Sequence, residues 1–226
     1  MIRERMASAA RRAGRNPDDT SLMAVSKTFP QEAILEAYDA GQRLFGESKV
    51  QEFAEKYPRL AHLQDVRFHM IGHLQSNKTS KAAEIFHTVD SIDSPKLAGR
   101  LNDAAQKRSK TLNVLIEINV GGEEVKSGLA LESPQVEAIL ARATEWKNLR
   151  ICGLMTVPPY TDDPEGARPY FRALRALRDR LAAKGFPNIS LDTLSMGMSH
   201  DFEIAIEEGS TCVRIGTAIF GQRPMR

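Results

Sequence analysis

The chain has 226 residues, 42% of them hydrophobic, which suffices for one large domain with a full core and is too apolar for global disorder. Its 31 basic and 29 acidic residues leave a net charge of +2, so neither sign dominates and nothing calls for nucleic acid as a partner. No apolar run approaches the ~18 residues of a membrane span, and the two cysteines, Cys152 and Cys212, lie in apolar stretches and read as thiols of a reducing, cytoplasmic compartment.

The stretch 1–15 is rich in Arg and Ala and lacks the apolar core of a signal peptide; Glu4, Asp18 and Asp19 argue against an organelle transit segment, so a plain first helix is predicted. Short β-rich runs then alternate with helical patterns about eight times. Strands are predicted at 22–27, 43–47, 67–72, 88–92, 112–120, 150–157, 191–197 and 212–220. Among the intervening helices, Val50, Phe53, Ala54, Tyr57 and Ala61 keep the spacing of one buried face, and Tyr170, Leu174, Leu177 and Leu181 form another, with Gly185 placed to end it. Ser94 before Pro95 and Ser133 before Pro134 read as N-caps followed by proline in the first turn. Eight such units predict a single (β/α)8 TIM barrel over residues 1–226. The alternative is an open doubly wound sheet, which lacks its G-x-G-x-x-G signature here.

Side-chain alternation assigns faces. In 112–120, Val114, Ile116, Ile118 and Val120 are expected on the helix-covered outside, and Asn113, Leu115, Glu117 and Asn119 inside. In the first strand, Met23, Val25 and Lys27 share the inner face, with Lys27 last, at the C-terminal mouth where barrel active sites lie. Desolvation there lowers an amine's pKa and favours the neutral form that attacks aldehydes; a strand-end lysine reaching for solvent is the alternative. In the last unit, Gly197 and Gly216 allow backbone N–H groups to approach an anion, and Ser199 and Thr217 offer hydroxyls, in the region where barrels often bind phosphate. Tight turns and an ordinary N-cap would explain the same residues, and Asp201 counts against an anion unless it faces away as a cap. Arg214 shares the inner face with Cys212 and Gly216, so its buried guanidinium needs either a ligand or a carboxylate such as Glu117 or Asp90. His69 and His73, four apart, run from strand into loop without supporting ligands, so no metal site is expected.

Together these segments resemble the pyridoxal phosphate homeostasis protein family, also called the YggS/PROSC family, which is related to the barrel domain of alanine racemase. The resemblance covers 22–28, 45–53, 69–78, 89–97, 115–129, 152–159, 194–201 and 212–221. It implies a barrel of the alanine racemase N-terminal type that binds pyridoxal 5′-phosphate (PLP), with Lys27 forming the Schiff base. It also implies that Ser199, Gly216 and Thr217 hold the phosphate and that Arg214 meets the pyridine nitrogen. A cation there makes the ring a poorer electron sink, which suits holding the cofactor better than broad amino-acid chemistry. The family's Gly-Glu-Asn-Tyr stands here as Gly46-Glu47-Ser48-Lys49, without the asparagine expected near the ring hydroxyl.

The expected function is therefore PLP homeostasis: sequestration and delivery, with PLP-dependent apo-enzymes as acceptors, in a cytoplasmic monomer with little or no catalysis. The alternative is a small PLP-dependent amino-acid racemase. Against it, the sequence closes at 221–226 just after the eighth strand, where alanine racemases add a β domain. Of its four tyrosines only Tyr160 is expected near a mouth loop, Tyr38, Tyr57 and Tyr170 lying in outer helical patterns. Lys126, just beyond the fifth strand and beside Glu123 and Glu124, reads as a solvated loop lysine or as a second amine that relays PLP.

Overall fold

The computed structural model describes residues 1–123 and 126–222. Nine parallel strands are present: β1 (Ser21–Val25), β2 (Leu44–Glu47), β3 (Arg67–Met70), β4 (Thr88–Ile92), β5 (Leu112–Asn119), the two-residue β6 (Leu129–Ala130), β7 (Leu149–Met155), β8 (Thr193–Ser195) and β9 (Cys212–Ile215). The sheet closes because β1 pairs with both β2 and β9, while β4 pairs with β5; β6 only extends the end of β5. Eight strands thus form the expected (β/α)8 barrel, and Val114, Ile116 and Ile118 in β5 and Val213 and Ile215 in β9 put β-branched residues at alternate positions, which favours extended backbone.

The helices are α1 (Ile2–Arg12), α2 (Gln31–Asp39), α3 (Val50–Leu60), α4 (Thr79–Ile85), α5 (Pro95–Gln106), α6 (Pro134–Ala141), α7 (Arg168–Ala182), α8 (Phe202–Glu207) and α9 (Thr217–Phe220). Ser94 and Ser133 cap α5 and α6 through their side chains, as their positions before proline predict. α1 lies over the seam between β1 and β9: Met6, Ala9 and Ala10 pack on Leu22, Val213 and Ile215 and on Phe202 of α8. It is held from outside by Arg5 and Arg12, both paired with Glu203. The last helix is too short to cover that seam, and the first one does so.

Val114, Ile116, Ile118 and Val120 join the outer core, as alternation predicts, whereas Met23 and Arg214 stand opposite each other in the β1–β9 register, inside the barrel. Strands predicted at 22–27, 67–72 and 150–157 end two residues early, at Val25, Met70 and Met155, which leaves Lys27 in the turn after β1 rather than last in the strand; two other predictions overrun further. The predicted strand 212–220 stops at Ile215, and Thr217–Phe220 turn into α9; the apolar Thr-Ala-Ile-Phe run suits either conformation, and local pattern alone does not separate them. The predicted strand 191–197 shrinks to Thr193–Ser195, before Gly197 at φ +97°. A Cβ at Gly197 would come within 2.5 Å of the Ala205 Cβ, so this turn requires glycine on two counts. On α3 the buried face is Val50, Phe53, Lys56 and Leu60, with Ala54 and Tyr57 half-buried and Ala61 exposed; a lysine occupies a place the hydrophobic pattern does not assign to it.

Candidate functional site

The C-terminal ends of β1, β8 and β9 are neighbours in the barrel, and a cavity of about 280 Å³ opens between them. Lys27, Ser199, Arg214, Gly216 and Thr217 all line it. Sequence separations of up to 190 residues collapse into one site because the last strand returns to pair with the first. Val25, Phe29, Ile71, Val157, Met198 and His200 complete the wall. Val25 shares the inner face predicted for Lys27, whereas Phe29, Ile71, Val157, Met198 and His200 have no role assigned from the sequence. Their signal is indirect: four of them lie within two residues of Lys27, Thr156 or Ser199, where a strand gives way to a mouth loop.

Arg214 is buried, with Nη1 donating to Ser195 Oγ at 2.7 Å and Nη2 to the Thr156 carbonyl at 2.6 Å. Among the described residues no carboxylate lies within ion-pair distance of it, so the expected structural alternative, a salt bridge to Glu117 or Asp90, is not formed. Its partners are neutral oxygens that orient the guanidinium and leave its charge in place. Burial pushes its pKa below the ordinary guanidinium value, opposed chiefly by Cys212 and by Asp90, Asp201 and Glu117 at longer range. Asp201 does not obstruct an anion: its Oδ1 accepts from the Met198 N–H at 2.6 Å, so its carboxylate is turned into the loop backbone. The described lining contains a lysine, an arginine and a histidine and no carboxylate.

The opposite side of the barrel interior is acidic and only partly paired, with Asp90 Oδ2 and Glu117 Oε2 buried without a hydrogen-bond partner. His69 Nδ1 meets Asp90 Oδ1 at 2.9 Å, and His73 Nδ1 meets Asp93 Oδ2 at 3.4 Å. Glu117 is buried, and desolvation, then repulsion from Asp93, pushes its carboxyl up to about 7. No group of three or more His, Cys, Asp or Glu residues suited to a metal occurs among the described residues. Lys126 donates to the Pro158 carbonyl at 3.2 Å and pairs with Glu123; Glu124 lies outside the described residues. Tyr160 is at the mouth as expected, 77% exposed, with its ring 5.4 Å from that of His200. Cys212 is buried and Cys152 half-buried, both as free thiols.

The alanine racemase N-terminal domain family matches residues 1–224. The pyridoxal phosphate homeostasis protein of Aquifex aeolicus is 46% identical over 222 residues, covering 98% of this chain and 95% of that one. The chain belongs to the pyridoxal phosphate homeostasis protein family. The Escherichia coli member is 45% identical over 231 residues, covering 98% of this chain and 94% of its own. PipY of Synechococcus elongatus, solved with PLP bound, superposes with a TM-score of 0.83 at 36% identity, over 98% of this chain and all of that one. An alanine racemase of Clostridium difficile shares the fold alone: TM-score 0.73, 15% identity, and 98% of this chain against 56% of that one.

Proposed function

We propose that this chain binds PLP through a Schiff base at Lys27 and serves intracellular PLP homeostasis, holding the cofactor and releasing it to PLP-dependent apo-enzymes with little or no catalysis of its own. One observation carries the reading: the five residues assigned to three tasks, Schiff base, phosphate and ring nitrogen, line one cavity whose described wall holds no carboxylate. The fit is chemical as well as spatial. Val25, Phe29 and Ile71 give an apolar slot for a flat ring, Ser199, Gly216 and Thr217 a hydroxyl-bearing end for a phosphate, and Lys27 the amine.

When bound, PLP supplies an aldehyde for a lysine amine and a conjugated ring that accepts electrons. The chain's residues do the rest. Lys27 presents its ε-amine from the turn just beyond β1, beside Val25 and Phe29. Arg214, held by Ser195 and Thr156, keeps a positive charge where a pyridine nitrogen would otherwise be protonated, and so weakens the ring as an electron sink. Ser199 and Thr217 are placed to donate to phosphate oxygens. A site that binds the cofactor firmly and withholds its electron-accepting power suits a carrier. No helix among the described residues is long and apolar enough to cross a membrane, and the reading places the protein in the cytoplasm as a single-domain monomer.

Absorbance tests the reading. The PLP-loaded protein should show the visible band of a lysine Schiff base, and Lys27→Ala should lose it completely. A Lys27→Ala protein that keeps the band overturns the assignment.

A further inference from the structure

We infer that Lys56 and Glu52, one turn apart on α3, are positioning residues for Lys27: together they fix the peptide planes on either side of its Cα. The inference rests on the reading of Lys27 as the Schiff-base lysine. It begins from two features that the cofactor site leaves unexplained, a buried lysine on an otherwise apolar helix face and a threonine with a left-handed backbone.

Lys56 Nζ is buried behind the barrel wall, on the face of the sheet away from the cavity, and donates to three oxygens. These are the Ser26 carbonyl at 3.4 Å, Glu47 Oε1 at 3.1 Å and Glu52 Oε1 at 3.0 Å. Ser26 Oγ donates to the same Glu47 oxygen at 2.8 Å. Glu52 Oε1 also accepts the Thr28 backbone N–H at 2.7 Å. The Ser26 carbonyl belongs to the peptide that precedes the Lys27 Cα, and the Thr28 N–H to the peptide that follows it. A single i,i+4 ion pair therefore holds both.

Thr28 needs holding. Its φ of +71° is a conformation that a β-branched residue rarely adopts, and its Oγ1 is buried without a hydrogen-bond partner. Such strain persists only where surrounding contacts over-determine it. With the Glu52 acceptor gone, the 27–28 peptide is released to rotate toward negative φ at Thr28, and the direction of the Lys27 side chain changes with it. Condensation of the Lys27 amine with the cofactor aldehyde forms a C=N bond, and the amine's two protons leave with the carbonyl oxygen as water. The rate of that step depends on how often the amine is held in line with its target. Glu47 adds a second, buried anchor: its Oε1 accepts from both Ser26 Oγ and Lys56 Nζ.

The test is the rate at which the full-length apo-protein forms its Schiff base on mixing with PLP, followed by absorbance. Glu52→Ala should slow it on the order of tenfold or more, since small misplacements of reacting groups cost rates of that size. Glu52→Gln, which keeps an oxygen for the Thr28 N–H, should recover most of the rate. The double variant Glu47→Gln/Lys56→Met removes the buried charge together with the donor to Ser26, and it should also slow the step; it provides the same test if Glu52→Ala does not fold. Phe53→Leu, a core change on the same helix matched for loss of Tm, should leave the rate unchanged. A wild-type rate in Glu52→Ala, or in the double variant, overturns the inference, as does an equal slowing in Phe53→Leu. Borohydride reduction and peptide mapping of the wild type separate this outcome from failure of the underlying reading. An adduct on Lys27 with no rate effect sinks the positioning role alone, and an adduct on another residue sinks the Lys27 assignment.

Discussion

The two halves of the barrel mouth use charge in opposite ways. On the side of β1, β8 and β9, Arg214 is held by a hydroxyl and a carbonyl, and Lys27 shares the cavity with it, so the guanidinium is oriented by neutral groups. On the side of β3, β4 and β5, Asp90 meets His69 and Asp93 meets His73, while Asp90 Oδ2 and Glu117 Oε2 stay buried without a hydrogen-bond partner. Both halves place polar side chains on the inner face near the C-terminal ends of parallel strands. One half pairs two of its carboxylates with histidines, and the other orients a guanidinium with neutral oxygens. Position at a barrel mouth therefore does not identify a binding residue; partners that orient a charge without neutralising it do.

The largest break in this contrast comes from reversing the charge on the cationic side. Arg214→Glu puts a carboxylate among Asp90, Glu117 and Asp201, all of which act on Arg214 electrostatically. An uncompensated buried charge costs about 3–5 kcal/mol, so Tm should fall sharply and cofactor affinity should fall with it. An unchanged Tm and an unchanged spectrum would make Arg214 a bystander.

Next in size is a change on the acidic side. Glu117 is held up to about 7 against an ordinary 4.5, so the folded protein keeps a proton that the unfolded chain has released. The associated stability is fully present below pH ~4.5 and is lost as pH rises through ~7, on the order of 3 kcal/mol. Glu117→Gln should remove that portion of the pH dependence of Tm, and an unaltered profile would place Glu117 in a more polar setting than its burial indicates.

A finer change sharpens the comparison at the phosphate end. Ser199→Ala and Thr217→Ala each delete one hydroxyl from the cavity wall. A hydrogen bond to a charged group contributes ~1.5–3 kcal/mol, so each variant should bind PLP roughly 10–100-fold more weakly while keeping the Schiff base spectrum at saturation. Equilibrium titration of PLP reads this directly. The smallest effect belongs to Lys126, which Glu123 and the Pro158 carbonyl hold on a loop. Lys126→Ala should leave spectrum and affinity at wild-type values, and a relay through this amine would show only as slower transfer to an apo-enzyme acceptor at matched occupancy.

How much of this was legible in the sequence follows from range of interaction. Strand positions were legible where alternation and flanking turns agreed, and Thr88–Ile92 is found where predicted. Lys27, Ser199, Arg214, Gly216 and Thr217 were legible because each ends or follows a strand, and barrel closure then converts order along the chain into proximity. Lys56 was not legible: a lysine in a helical pattern reads as solvent-facing, and it takes Glu47 on β2 and the Ser26 carbonyl beyond the end of β1, beside Glu52 of its own helix, to make its burial tolerable. The partners of Arg214 were missed for a related reason. Residue type suggested carboxylates, and geometry supplied a serine hydroxyl and a backbone carbonyl. Thr28 could not be found either, since a β-branched residue gives no local sign of a left-handed φ.

The central claim is that Lys27 carries the cofactor on the cationic side of the mouth. Reduction of the PLP-loaded protein with borohydride, followed by proteolysis and mass mapping, tests it most directly. The account predicts a single dominant pyridoxyl adduct on the peptide that contains Lys27. A dominant adduct on Lys126, Lys56 or any other lysine, with Lys27 unmodified, would contradict it.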